Sequence, residues 1–239
     1  MQKLFKKLLA VIAHPDDESF GFGGTLAKYA REGVEVHVLC ATRGEEGQTM
    51  LARNKLGKAR EQELLTASKI LGVAKVEFMD YRDGTLCNGL YHEIAAKIEA
   101  KIKSFKPQVV VTFDQNGISG HIDHITIALT TTYVCQKYTE QLKLYYFGRP
   151  EEYTRNMQDY FIYFPPGFKK SEIDVVIDIS KDYDTRVAAM HAHKTQMHDV
   201  ARILKAEKDR PREDHFVEVF KKTLRLRSGQ GSVKKDLFY

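Results

Sequence analysis

The sequence predicts an α/β fold, a mostly parallel sheet with helices on both faces, and three observations carry that reading. Apolar runs of strand length at residues 8–12, 34–41, 76–79 and 108–113 alternate with stretches of helical periodicity. Each run stops at a loop of polar, acidic or glycine residues, with no short hairpin leading back. Strand–helix–strand alternation gives parallel strands joined by right-handed crossovers, and it gathers the loops at the carboxyl ends of the strands on one rim.

Residues 8–12, Leu-Leu-Ala-Val-Ile, form an unbroken apolar run, as a strand covered on both faces requires. It ends at Ala13-His14-Pro15-Asp16-Asp17-Glu18, and residues 19–30, with Gly21, Gly23 and Gly24, read as a turn entering a helix. The second strand, 34–41, alternates at its start and opens on Thr42-Arg43-Gly44-Glu45-Glu46-Gly47. A helix follows near 50–71, with Leu64, Ala67, Ser68 and Leu71 at three-four spacing and Gly72 as its stop. The strand at 76–79 leads into Asp80-Tyr81-Arg82-Asp83-Gly84. In the helix from about 89 to 105, Leu90, Ile94, Ile98 and Ile102 form one line and Glu93, Lys97 and Lys101 another. Pro107 closes that stretch, and the strand at 108–113 delivers residues 114–124 to the rim. Beyond it the pattern predicts a helix from 124 to about 137 and strands at 144–147 and 174–179. A helix capped by Ser180 then runs from 181 to about 198. From about 148 the chain reads as less regular, with a break at Pro165-Pro166-Gly167. Its tail from Arg210 is polar and basic, and Phe216, Val217, Val219 and Phe220 are its candidates for packing.

Composition narrows the function. At 239 residues the chain suits one α/β domain with a sizeable core, and 43% hydrophobic with 29% charged residues is ordinary for a soluble globular protein. A net charge of +5, spread along the chain, requires no nucleic-acid partner. Lys3, Lys6 and Lys7 precede only a strand-length apolar run broken by His14 and Pro15, too short for a signal-peptide core or a membrane span. Cys40, Cys87 and Cys135 are odd in number and show no C-x-x-C spacing, which suggests a reducing, cytoplasmic compartment. Cys40 lies in an apolar run and reads as core.

The chemistry concentrates at two loops. A histidine and two aspartates after a strand can be no more than turn chemistry. Pro15, however, fixes its own backbone and restricts His14, so these groups are held in place. Catalytic zinc sites commonly use three protein ligands drawn from nitrogen, sulfur and carboxylate donors, and His14, Asp17 and His124 would supply such a set for one Zn²⁺ per chain. More than a hundred residues separate His124 from the first loop, so the set is sensible only if both loops share the rim. A magnesium site would use carboxylates and waters with little imidazole. His121-Ile122-Asp123-His124 lacks the H-E-x-x-H arrangement, so the base for an activated water must come from elsewhere, and Asp16 is the best placed. Zinc charge would favour its ionised form and burial would oppose it. His121, three residues from His124, would stabilise the oxyanion or protonate the leaving amine.

Ala13-His14-Pro15-Asp16-Asp17-Glu18 together with Gly120-His121-x-Asp123-His124 resembles the LmbE-like, or PIG-L, family of zinc-dependent N-acetylglucosaminyl deacetylases. Supporting pieces are Thr42-Arg43-Gly44-Glu45, Arg60-x-x-Glu63-Leu64, Tyr81-Arg82-Asp83-Gly84 and His193-Lys194-Thr195-Gln196. The resemblance implies a Rossmann-like fold over a single domain, residues 1–239, with the site at the carboxyl ends of the strands. It implies removal of an acetyl or similar acyl group from an amino sugar conjugate. It implies His14, Asp17 and His124 as metal ligands, Asp16 as base and His121 as electrostatic stabiliser. Arg60 and Asp83 match positions that touch the sugar, and Arg43 and His193 fall in motifs near the site and are expected to face substrate, His193 alternatively as support. Ser119 and Ile122 depart from the aromatic and the proline that bacterial thiol-pathway deacetylases carry there, which leaves the identity of the sugar conjugate open. The stretch at 148–170 is expected to select the aglycone, and a homo-oligomer is compatible with the sequence. Other readings are an amidase of a thiol-sugar conjugate, a zinc protein without activity, and a nucleotide-binding module using Gly21-Phe22-Gly23-Gly24, which lacks the full G-x-G-x-x-G pattern.

Overall fold

The computed structural model describes residues 6–48, 51–154, 163–221 and 233–239. The expectations that touch Lys3, residue 50, residues 155–162 of the aglycone stretch and residues 222–232 of the tail lie outside the described residues. Five strands run parallel: β1 (Lys7–Ile12), β2 (Glu35–Thr42), β3 (Lys75–Tyr81), β4 (Val109–Phe113) and β5 (Lys143–Gly148). β6 (Val175–Asp178) and β7 (Glu213–Glu218) complete one seven-stranded sheet in the order β3-β2-β1-β4-β5-β7-β6, with β7 antiparallel to both neighbours. The connecting helices are α1 (Asp17–Arg31), α2 (Arg53–Leu71), α3 (Tyr91–Phe105), the single turn α4 (Gly117–Gly120) and α5 (Ile122–Cys135). The short α6 (Glu151–Thr154), α7 (Tyr183–Ala192) and α8 (Met197–Glu207) follow. α1, α2 and α7 pack together, while α3 packs on α5.

The strand order places the site. β1 is flanked by β2 on one side and β4 on the other, so the direction of winding reverses between β1 and β4. Ligands in open α/β sheets bind in the crevice at such a reversal, outside the carboxyl ends of the strands. The loops after β1 and β4 carry the two main motifs, and adjacency in the sheet brings them together.

The core follows from the apolar runs. Residues 8–12 are completely buried, as are Ile94 and Ile98 of α3, and Leu64 and Ala67 of α2. Lys101, on the polar line of α3, is also buried: its ammonium reaches His37 Nδ1 at 2.9 Å and pairs with Glu77. α1 meets the sheet so closely that a Cβ at Gly24 would collide with the Cβ, Cγ2 and Cδ1 of Ile179.

Two differences from the periodicity concern the C-terminal third. The single helix expected over 181–198 is α7 followed by a break at His193, a 3-10 turn (Lys194–Gln196) and α8. No proline or glycine marks that break; His193 adopts φ −79, ψ 67 because its side chain is drawn into the interior. The polar tail contains β7, inserted between β5 and β6, with Phe216 fully buried and Val217, Val219 and Phe220 packed against the core. Its polar sequence hides it as a strand: Asp214 faces the interior, where Thr25 donates to it through both its backbone N–H and its hydroxyl.

Candidate active site

β1 ends at Ile12 and the chain turns through Ala13-His14-Pro15-Asp16 into α1. Asp16 takes a φ of 115, a region that residues with side chains rarely adopt. The loop after β4 is also strained, with Ile118 at φ 63, a position unfavourable for a β-branched residue. The two loops bring three side chains together. His14 Nδ1 lies 3.1 Å from His124 Nε2, His124 Nε2 lies 3.3 Å from Asp17 Oδ1, and His14 Nδ1 lies 3.7 Å from Asp17 Oδ2.

These separations suit a metal. Around a tetrahedral ion bonded at about 2.0–2.1 Å, neighbouring donors sit about 3.3 Å apart. The far side of each side chain is already occupied, which fixes its orientation. His124 Nδ1 donates to the Gly117 carbonyl at 3.0 Å, and its ring stacks on Phe113 at 4.1 Å between centroids. His14 Nε2 faces Asp83 Oδ1 at 3.0 Å and Asp123 Oδ2 at 3.2 Å, which places a ring proton on Nε2 and turns Nδ1 toward His124. Asp17 Oδ2 accepts from the backbone N–H groups of His14 at 2.7 Å and Ala13 at 3.2 Å, so Oδ1 is the oxygen turned toward His124. Two further sets of donor atoms share His14, namely His14 with His121 and His124, and His14 with Asp83 and Asp123.

Electrostatics reflect the crowding of carboxylates. Burial disfavours a charged His14, but the hydrogen bonds to Asp123 and Asp83 and the charge of Asp17 outweigh it and lift its pKa to about 10. Burial lowers His124 and His121, and the charge on His14 lowers both further. Burial pushes Asp16 up to about 7 against the pull of the Arg60 guanidinium. Asp83 and Asp123 are held low in spite of burial, chiefly by their hydrogen bonds to His14.

A cleft of about 760 Å³ opens over these groups. His14, Asp16, Asp17, Arg60, Asp83, His121 and His124 all line it. Arg60 is buried, with one guanidinium nitrogen on the Gly44 carbonyl at 2.8 Å and the other on Asp16 Oδ2 at 2.6 Å and the Pro15 carbonyl at 2.5 Å. Gly44 makes this fit, since a Cβ there would strike the guanidinium. Arg43 and His193, expected to face substrate, do not line the cleft. Arg43 turns outward to pair with Glu61 and Asp80 at 2.5 Å each, and His193 is fully buried against Glu18.

Two carboxylates in the motifs have places that spacing did not reveal. Asp123 accepts from the backbone N–H groups of Gly84 at 2.8 Å and Leu86 at 3.1 Å, tying the loop after β3 to His14. Glu18 sits beneath the first loop, paired with His193. The outer wall of the cleft comes from α8 and the turn before it, through Gln196, His198, Asp199 and Arg202. Only the adjacency of a carboxylate and a candidate ligand histidine in Asp123-His124 hinted at any of this.

The fold and the converging donors define an α/β protein with a candidate metal centre at the winding reversal of its sheet. The chain belongs to the PIG-L family: the family profile described as GlcNAc-PI de-N-acetylase matches residues 9–135. It is 35% identical over 231 residues to a 1D-myo-inositol 2-acetamido-2-deoxy-alpha-D-glucopyranoside deacetylase of Mycolicibacterium vanbaalenii, covering 80% of this chain and 81% of the relative. The corresponding deacetylase of Mycobacteroides abscessus is 32% identical, with 80% and 82% covered. Among solved structures, N,N'-diacetylchitobiose deacetylase from Pyrococcus horikoshii shares the fold at TM-score 0.66 and 21% identity, over 90% of this chain and 84% of that one. GalB, the 4-carboxy-2-hydroxymuconate hydratase of Pseudomonas putida, shares it at TM-score 0.69 and 20% identity, over 91% and 97%. The scaffold therefore hosts more than one chemistry, and it is the family match that points to deacetylation.

Proposed function

We propose that this chain is a zinc-dependent N-deacetylase that removes the acetyl group from an N-acetylglucosamine-type sugar conjugate, with His14, Asp17 and His124 as the residues that hold the ion. The observation that carries the proposal is the convergence of these three side chains, with His124 Nε2 3.1 Å from His14 Nδ1 and 3.3 Å from Asp17 Oδ1, each pinned from behind. When bound, zinc supplies Lewis acidity, acidifying water and polarising the amide carbonyl. Asp16 lines the cleft beside the ligands with Oδ2 anchored on Arg60, and it accepts the proton from the attacking water. His121 Nδ1 accepts from the Asp123 N–H at 3.2 Å, which puts the ring proton of a neutral His121 on Nε2. From there it serves the oxyanion developing on the acyl carbon or the departing amine. Arg60 and Asp83 wall the cleft beside Asp16 and His14, where sugar hydroxyls would meet them.

Residues 1–239 act in this reading as one deacetylase unit, since β7 and α7 are built into the sheet and helix layer that carry the site. Cys40, Cys87 and Cys135 are all free, in keeping with a cytoplasmic enzyme. No helix among the described residues is long and apolar enough to cross a membrane.

The test is release of free amine from a panel of N-acetylglucosamine conjugates bearing inositol, malate, lipid-like and oligosaccharide aglycones. The N-acetylglucosaminyl-inositol named for the relatives is the first to try. Turnover on at least one, abolished by a chelator and restored by zinc, is expected. Zinc-loaded protein that is inert on all of them would overturn the proposal.

A further inference from the structure

The family match stops at residue 135, yet the turn bearing Asp16 and Asp17 is held in place from a much later part of the chain. Glu18 and His193 are both completely buried, and His193 Nε2 lies 2.8 Å from Glu18 Oε1. A carboxylate removed from water is costly unless paired and hydrogen-bonded, and Glu18 finds its partners within this turn and at His193. Ser19 Oγ donates to Oε1 at 2.6 Å, and the backbone N–H of Asp16 donates to Oε2 at 3.1 Å. That last bond holds the peptide of a residue whose φ of 115 is unfavourable.

His193 is in turn fixed by its surroundings. It stands where α7 breaks, Phe20 lies edge-on to its ring at 5.8 Å, and the following turn is hooked to α2 by Glu63. Glu63 accepts from the Thr195 N–H at 2.8 Å and its hydroxyl at 2.7 Å. Arg186, one helical stretch earlier on α7, holds the same catalytic turn by a second route. Its Nε donates to the Ser19 carbonyl at 3.1 Å and its Nη2 to the Phe20 carbonyl at 2.9 Å, just before the non-helical Phe22. Neither Glu18 nor His193 lines the cleft, so neither is placed to touch substrate.

We propose that Glu18 and His193 form a positioning pair for deacetylation. His193 orients the Glu18 carboxylate, Glu18 clamps the Asp16 peptide, and the clamp sets the direction in which the Asp16 carboxylate meets water. The inference rests on the reading of Asp16 as the base. It gives the C-terminal third of the chain a part in the chemistry that its distance in sequence conceals.

The experiment compares His193→Phe, His193→Gln, Glu18→Gln, the double variant His193→Phe/Glu18→Gln, and Asp16→Asn on an N-acetylglucosaminide. kcat, KM and bound zinc are measured for each. His193→Phe keeps a flat ring beside Phe20 but loses the donor, whereas glutamine restores an N–H near the position of Nε2. Displacing a catalytic group by about 1 Å costs on the order of 10²-fold. His193→Phe is therefore expected to lower kcat by about that factor with KM and zinc content unchanged. His193→Gln should recover most of the loss, and the double variant should be no worse than the poorer single one. Wild-type kcat in His193→Phe alongside an inactive Asp16→Asn would overturn the pair and leave the base assignment standing. Full activity in Asp16→Asn would overturn the base assignment and the inference with it. Loss of zinc in step with kcat would make the pair merely structural and so overturn its positioning role. Should His193→Phe fail to fold, the isosteric Glu18→Gln puts the same question from the other side.

Discussion

His14 Nδ1 and His124 Nε2, 110 residues apart in the chain, stand 3.1 Å from one another at the carboxyl ends of two adjacent parallel strands. Two ring nitrogens that close, with a carboxylate oxygen 3.3 Å from one of them, leave little room for anything but a shared proton or a shared ion. Replacing either end should release the ion. Asp17→Asn and His124→Ala are expected to reduce the zinc retained through purification from about one per chain to a small fraction. Asp16→Ala should retain zinc and lose turnover by about 10²- to 10⁴-fold, the usual range for a removed general base. Metal analysis beside an amine-release assay separates the two behaviours. Equal zinc loss in all three variants would mean that Asp16 is a ligand too.

Asp123 gives a prediction about affinity without direct ligation. Its carboxylate orients the His14 ring while held by the backbone of Gly84 and Leu86. Asp123→Asn keeps the volume and weakens the charged hydrogen bond to His14. Zinc affinity, measured by competition with a chromophoric chelator, is expected to fall about 10- to 100-fold, as is common for such outer partners. An unchanged affinity would leave Asp83 as the group that holds His14.

How far the sequence could be read depends on which interactions set each element. β1 and β4 were legible because a strand covered on both faces must be apolar throughout, and residues 8–12 are. The meeting of the loops after β1 and β4 was legible because rim loops of neighbouring parallel strands have to meet. The break at His193 was not, since a helix normally ends at a glycine, a proline or a cap, and this one ends to satisfy a buried carboxylate 175 residues away. Nor was β7, whose Asp214 and His215 look like tail residues until Thr25 and the neighbouring strands are in place. The direction of Arg43 was hidden for a related reason. A motif places a residue on a loop but does not say which way its side chain turns, and Glu61 and Asp80 turn this one outward.

Packing at Gly24 supplies a stability test independent of the chemistry. Alanine is the better helix former by about 1 kcal/mol, so at an open site Gly24→Ala would stabilise α1. Here the new methyl would overlap the Ile179 side chain as far in as its Cβ. Overpacking of this kind costs about 1–3 kcal/mol, so the net effect is expected to be destabilising, seen as a lower urea midpoint with zinc binding retained. A raised midpoint would show that Ile179 can move aside at no cost.

Asp214 makes stability depend on pH in a direction opposite to that of most acidic residues. It is 3% exposed, and burial lifts its pKa from 3.8 to about 6, although Arg186 and the two Thr25 hydrogen bonds pull the other way. Because the folded-state value lies above the unfolded one, the folded protein binds more protons than the unfolded chain between those two values. The contribution of this group is therefore most favourable below about pH 4, falls as pH rises toward 6, and is constant above that. The conversion of about 1.4 kcal/mol per pH unit makes the cost of keeping it ionised on the order of 3 kcal/mol at neutral pH. Asparagine keeps an oxygen for both Thr25 donors and cannot ionise. Asp214→Asn is thus expected to gain stability over the wild type near pH 7 and to show little difference near pH 4, with urea midpoints at the two values as the measurement. A gap between variant and wild type of the same size at both values would locate the effect in packing and not in the charge.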